Sequence, residues 1–348
     1  MTKNILLTLV ISLLAASLGF TSCKNGTNNN TMPADSLLID SSSIQNPDTN
    51  VNHGALADSS WDQAAKTFTP AAVTQNDSTS KNLTKTQGKS KISPLSFGNP
   101  FRPQELLDGL TKAQKGDLRG AIVDFDRCIV KNVKNLNAYF YKAKALIELK
   151  ETQNALPNLN LAIENQHTNP MFYYYRGKLF YDQGNPDKAF TDFDKAVSLK
   201  ADFPDALNYR GVTREISGKH AEAIEDYKAA IAANPDYATA YYNKGTSEAA
   251  LGQYKEALTS FSKCIELDPK KVMSFMNRGN CYVMLKDYPS AITDYTAAIA
   301  LDPENSDAYY NRGAAYHFSG NKNACNDWQK AQSLGNKRSA DMLKEYCK

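Results

Sequence analysis

Seven small residues recur at one fixed interval: Gly109, Ala143, Gly177, Gly211, Gly245, Gly279 and Gly313 stand 34 positions apart with no insertion between them. A series this regular means one supersecondary unit stacked on copies of itself, because each unit buries its apolar side only against a neighbour. Further positions repeat with it. Twelve residues after the first six stand Ala121, Ala155, Ala189, Ala223, Ala257 and Ala291; sixteen after stand Phe125, Leu159, Phe193, Tyr227, Phe261 and Tyr295. Nineteen after stand Cys128, Ala162, Ala196, Ala230, Cys264 and Ala298. Two small residues let a pair of helices approach closely, the large one fills the space left, and the third small residue admits the next unit. Pro235, Pro269 and Pro303 fall between units, where a helix cannot continue. In the last copy the alanine comes one residue early, as Ala324, and predicts a turn at 319–323 that is one residue short. Ala340, Met342, Leu343 and Tyr346 then predict a terminal helix that covers the open end.

The pattern resembles the tetratricopeptide repeat, whose period is also 34, over residues 102 to about 338. The resemblance implies an all-α, right-handed α-solenoid of seven helical hairpins with a C-terminal capping helix. It also implies a scaffold that binds proteins or peptides and is not an enzyme. No GxGxxG, GxxxxGK or GxSxG motif is present. Net charge is +3 from 40 cations and 37 anions, which leaves no electrostatic footprint for nucleic acid. The six cysteines include no CxxC pair, and His53, His167, His220 and His317 are scattered, so no metal or cofactor is expected.

Outside the repeats the composition changes twice. Residues 1–22 carry Lys3 and an apolar run from Ile5 to Ala16, the layout of an export signal. Phe20-Thr21-Ser22-Cys23 resembles the lipobox of bacterial lipoproteins, in the looser Ser-Cys form of Bacteroidetes-like bacteria. That resemblance implies a lipid anchor on Cys23 and a place in the cell envelope, at the outer membrane facing the periplasm. Residues 24–100 are dominated by Ser, Thr, Asn, Asp and Gly and contain no Glu, so 23–100 reads as the anchor followed by a disordered linker. A coil of that length spans roughly 50 Å. The repeat array is then 101–348.

Comparison of the repeats exposes a coupling. Arg176, Arg210, Arg278 and Arg312 precede the ladder glycine in repeats three, four, six and seven. In those same repeats Asp192, Asp226, Asp294 and Asp327 precede the second-helix aromatic. Repeats two and five carry Lys142 and Lys244, and opposite them Asn158 and Ser260. Arginine occurs only where aspartate does, as expected for a bidentate pair that lysine cannot replace. These pairs read as ties between the two helices of one hairpin; the competing reading is a basic stripe for an anionic ligand. Repeat one departs, with Asp108 and Asp124.

In arrays of this family the first helices line the concave face. The resemblance places there Tyr141, Tyr174, Tyr175, Tyr209, Tyr242 and Tyr310 as an aromatic track. It adds Asn243, Asn277 and Asn311, with Asn280, as a ladder of amides toward an extended peptide backbone. The alternative for the tyrosines is packing between repeats. A clamp for a C-terminal carboxylate is not expected, because Asn137, Met171, Thr239 and Met273 stand where that clamp uses lysine. Two further readings of function stay open, an accessory of glycan uptake and a subunit of outer-membrane assembly. Among the cysteines, Cys128, Cys264 and Cys281 read as small buried residues. Cys325 and Cys347 read as a disulfide, formed if the terminal helix folds back antiparallel to the last hairpin's second helix.

Overall fold

The computed structural model describes residues 103–347. The leader, Cys23 and the 23–100 linker lie outside the described residues. The fold is all-α: among the described residues there are fifteen helices and no strand. The first helices of the seven hairpins are α1 (Gln104–Gln114), α3 (Leu136–Glu148), α5 (Pro170–Asp182), α7 (Pro204–Ile216), α9 (Ala238–Ala250), α11 (Val272–Met284) and α13 (Ser306–Phe318). The second helices are α2 (Leu118–Lys131), α4 (Thr152–Asn165), α6 (Pro186–Leu199), α8 (His220–Ala233), α10 (Tyr254–Leu267), α12 (Tyr288–Leu301) and α14 (Ala324–Ser333). A terminal helix, α15 (Ser339–Tyr346), follows. Each helix packs on the next, and each first helix also touches the following first helix. The second helices make no comparable contact with one another, so the first helices form the inner row. No described helix is long and apolar enough to cross a membrane.

The small-residue ladder sets the spacing within each hairpin. A Cβ on Gly211 would lie 2.6 Å from the Tyr227 ring, and one on Gly245 would lie 2.8 Å from the Phe261 ring. The rings of Phe125, Phe193, Tyr227, Phe261, Tyr295 and Trp328 are fully buried against this gap. Ala143 keeps its methyl because its partner is Leu159, the one aliphatic residue in that column. A second ladder ends the first helices. Gly116, Gly184, Gly218, Gly252 and Gly320 have positive φ there, and Lys150 (φ 60°) and Lys286 (φ 62°) hold the same place in repeats two and six.

The last hairpin absorbs its missing residue differently from expectation. The connection at 319–323 is not shortened; the helix is. α14 has 10 residues, whereas α12 and the other second helices have 14. Trp328 still reaches the hairpin gap, and its indole N–H donates to the Tyr310 carbonyl at 3.2 Å. α15 packs on α14. Cys325 and Cys347 form a disulfide with Cα atoms 5.7 Å apart. Cys128, Cys264 and Cys281 are buried free thiols. Counting on from Gly313 with one residue missing, Tyr346 falls at the next ladder place. Its ring lies 4.4 Å from His317 and 6.0 Å from Trp328, filling the space a further hairpin would need.

The ladder contact is testable. Gly245→Ala should destabilise the array by roughly 1–3 kcal/mol through overpacking against Phe261. Adding Phe261→Leu recreates the pairing of repeat two, so the two effects should fail to add by about 1 kcal/mol in a thermal-melt double-mutant cycle. Simple additivity would show that the ring does not set the spacing.

Candidate functional site

Four of the ladder arginines form the ties their spacing suggests, and each does more. Arg176 reaches Asp192 through Nε and Nη2, both at 2.8 Å. Arg278 meets Asp294 at 2.8 and 2.7 Å, and Arg312 meets Asp327 at 2.7 and 2.9 Å. Arg210 places Nη2 2.6 Å from Asp226. In every case the remaining Nη1 donates back to the preceding repeat's second helix: to Asn160 (2.9 Å), Asp194 (2.7 Å), Ser262 (2.9 Å) and Thr296 (3.1 Å). One guanidinium therefore clasps three helices.

That second half was readable in the sequence, because the acceptors all stand sixteen residues before their arginine. Lys142 uses the same place, bonding Asp126 at 2.6 Å. Before Lys244 the place holds Lys228, which offers no acceptor. Lys244 turns instead to Glu248 and to Ser260 (2.9 Å). Repeat one also keeps its tie, with the cation moved one turn on: Lys112 pairs with the buried Asp124 at 2.6 Å. Arg214 reaches Asp226 from the same turn at 2.7 Å. These cations are matched internally and form no free basic stripe.

The asparagine ladder requires correction. Asn243 is 1% exposed and Asn277 is 2% exposed, and Asn280 and Asn311 are also buried. They do not face a ligand. Asn243 donates to Asn208 at 3.0 Å, Asn277 to the Tyr242 hydroxyl at 3.1 Å, and Asn311 to Asn280 at 3.4 Å. Tyr295 also donates to Asn280, at 2.8 Å. The side chain two before the ladder residue thus bonds back onto the preceding first helix. The aromatic track makes the same rung with rings. Tyr175 packs on Phe140 (5.3 Å between centroids), and Tyr209 packs on Tyr174 (5.9 Å). Tyr141, Tyr242 and Tyr310 are buried; Tyr174, Tyr175 and Tyr209 are half-buried in this stack. A rung between repeats and a periodic binding site share one spacing, so spacing alone does not separate them; the asparagines are rungs, and the tyrosines pack between repeats.

The inner-row places one and four after the ladder residue are mostly buried, and the accessible side chains stand five after it. In repeats two and three they are charged. Lys144 is buried, which pushes its ammonium down to about 8 despite Glu148. Lys178 is lowered by burial and countered by Asp182, Asp205 and Glu148. From repeat four onward the row turns apolar: Ile216, Ala250, Met284 and Phe318 stand at one place in successive repeats, with Ile216 54% exposed. Within this half lies Glu215, whose carboxylate accepts from the Tyr227 hydroxyl at 2.8 Å. Burial pushes that carboxyl up to about 7, against the pull of the Tyr227 hydroxyl. His317 stacks in the cap, and Trp328 is fully buried. Among the described residues no cluster of His, Cys, Asp or Glu could hold a metal.

The fold and this inner row define an α-solenoid of helical hairpins. Family models for the tetratricopeptide repeat match residues 174–238, 216–272 and 279–320. The chain carries tetratricopeptide repeats, stacked as a tetratricopeptide solenoid. It is similar to the C-terminal part of a TPR repeat-containing protein from Cytophaga hutchinsonii (18% identity, TM-score 0.56, covering 68% of this chain and 99% of that one). It is also similar to a tetratricopeptide repeat protein from Parabacteroides merdae (21% identity, TM-score 0.50, covering 69% and 96%). These likenesses are of fold. No curated protein matches the sequence.

Changing Asn243, Asn277 and Asn311 together to Ala should lower stability by about 1 kcal/mol for each buried hydrogen bond lost. The melting temperature reads this directly. An unchanged melt would show that the amides contribute nothing to the stack.

Proposed function

We propose that this protein is a scaffold that holds a segment of another protein along the inner row of first helices. The observation that carries the reading is the apolar line Ile216, Ala250, Met284 and Phe318 beside the charged half of the same row. Such a line on a stacked helical framework suits capture of an extended or helical segment, with apolar anchors giving affinity and polar groups giving register. Nothing in the row supplies a nucleophile with an orienting base. The one array tryptophan is buried and offers no platform for a sugar.

We also propose that the scaffold is tethered in the cell envelope through lipid on Cys23, with 24–100 as the leash. The support is the sequence itself, an apolar run that ends at Phe20-Thr21-Ser22-Cys23. Several acyl chains on one residue hold a protein to a membrane where one chain does not.

A photo-crosslinking residue at Ala250 of the full-length protein, in its own cells, should capture a partner protein. The same group at the exposed Thr259, on a second helix, should not. Equal capture from both, or none from Ala250, would sink the scaffold reading of this row. Separately, Cys23→Ala should move the protein from the detergent phase to the aqueous phase on partitioning. A variant that stays with detergent would refute the anchor.

A further inference from the structure

We propose that Glu215 is the receptor for a cationic group, a lysine or arginine side chain, on the segment held along the inner row. This rests on the scaffold reading and gives it a chemical class of partner.

The place of Glu215 is the first ground. It stands four residues after Gly211, on the inner side where α7 meets α9. The same place in the other repeats holds Ala113, Ile147, Tyr181, Ala249, Val283 and His317. Glu215 is the one carboxylate in that column.

The second ground is its lack of a cation. The lysines of repeats two and three lie close enough to acids to be offset: Lys144 by Glu148, and Lys178 by Asp182 and by Asp205 of repeat four. Glu215 accepts from one hydroxyl, Tyr227 of α8 at 2.8 Å, and makes no ion pair among the described residues; the Ser247 hydroxyl of α9 is buried and unbonded. The charged groups around it are committed elsewhere. Arg214 bonds Asp226 at 2.7 Å, and Glu248 on α9 takes Lys244 and the Ser260 hydroxyl. Tyr181 of α5 packs against the cluster of Val212, Ala223 and Tyr227.

The third ground is that packing does not call for a charge. Tyr227 needs an acceptor, but Tyr295 in the equivalent place is satisfied by the neutral Asn280 amide at 2.8 Å. A carboxylate with one hydroxyl partner and no cation of its own, half-buried beside the exposed Ile216, is completed by a cation from outside the chain. The fitting segment therefore places a basic side chain between apolar ones, the apolar ones meeting Ile216 and Ala250.

The test is selection of a displayed library of random dodecapeptides at pH 8, on the full-length protein and on its Glu215→Gln variant. Gln keeps an acceptor for Tyr227, and a cooperative melt confirms that the variant is folded. The wild type should enrich peptides with Lys or Arg at one fixed position flanked by apolar residues. A synthetic peptide of that consensus should bind the variant about tenfold more weakly or worse, as for loss of one partner of a desolvated charge pair. Its affinity for the wild type should rise as pH passes upward through about 7, where the carboxyl ionises, and should stay flat for the variant. A consensus without a basic residue, or one bound equally by both proteins, overturns the role of Glu215 and leaves the scaffold reading standing. A selection that enriches nothing on the wild type overturns both.

Discussion

The missing side chain at the ladder glycines is the constraint on which the array depends. With a Cβ at Gly109, Gly211 or Gly279 the nearest ring atom would stand 2.5 to 2.7 Å away, well inside contact distance. The aromatic ring therefore lies directly under the first helix's backbone, and that separation is copied through the chain at every repeat but the second. There Ala143 and Leu159 trade ring for methyl and keep the gap filled. A solenoid has no central core, so its order comes from one local distance reproduced many times. A change at a single ladder glycine shifts one hairpin and both its junctions.

The arginine clasp is the next layer, and it works only because the ladder has fixed the helices first. A guanidinium has a rigid fork and spare donors. Here two donors close the hairpin on a buried aspartate and a third reaches the previous repeat. The carboxylates are nearly dry, with side chains of Asp192, Asp226 and Asp294 exposed by 4, 3 and 5%. Removing an arginine would strand a buried anion, a larger penalty than loss of a surface pair. The clasp therefore specifies neighbours as well as holding them.

How much of this was legible depended on whether a residue's role repeats. The period, the hairpins, the ring column and the Arg–Asp pairing all recur, so one chain supplied its own comparison. The back-reaching acceptors Asn160, Asp194, Ser262 and Thr296 recur too, but as four residue types that share only the ability to accept, which hides them from an identity search. Periodicity misled at Asn243, Asn277 and Asn311. A junction between identical units must be satisfied at every unit, so a polar residue that recurs is explained by packing before ligand. The inner-row places behave in the opposite way. Lys144, Lys178, Val212, Thr246, Asn280 and Ala314 occupy one place and share no chemistry. Asn280 shows the limit of that rule, since Tyr295 and Asn311 both bond it. Its two hydrogen bonds, and not its residue type, separate it from the others in that place.

The junction between repeats four and five joins these strands. It is the one place among repeats three to seven where the back-reaching donor is missing, because Lys244 faces a register position filled by Lys228. Substitutes hold it. Asn243 bonds Asn208 at 3.0 Å and Tyr237 bonds Asp205 at 3.0 Å across it, while within repeat five Glu248 and Ser260 (2.6 Å) occupy the site of the usual aspartate. Glu215 sits at the same junction on the inner side, its carboxylate taking the Tyr227 hydroxyl of α8. In a one-dimensional array each junction contributes its own share of stability, and the unclasped one lacks the guanidinium hydrogen bond that its neighbours make. A cation brought to Glu215 by a partner would face both α7 and α9, and so would restore there, from outside the chain, the cationic bridge that arginine supplies at the neighbouring junctions.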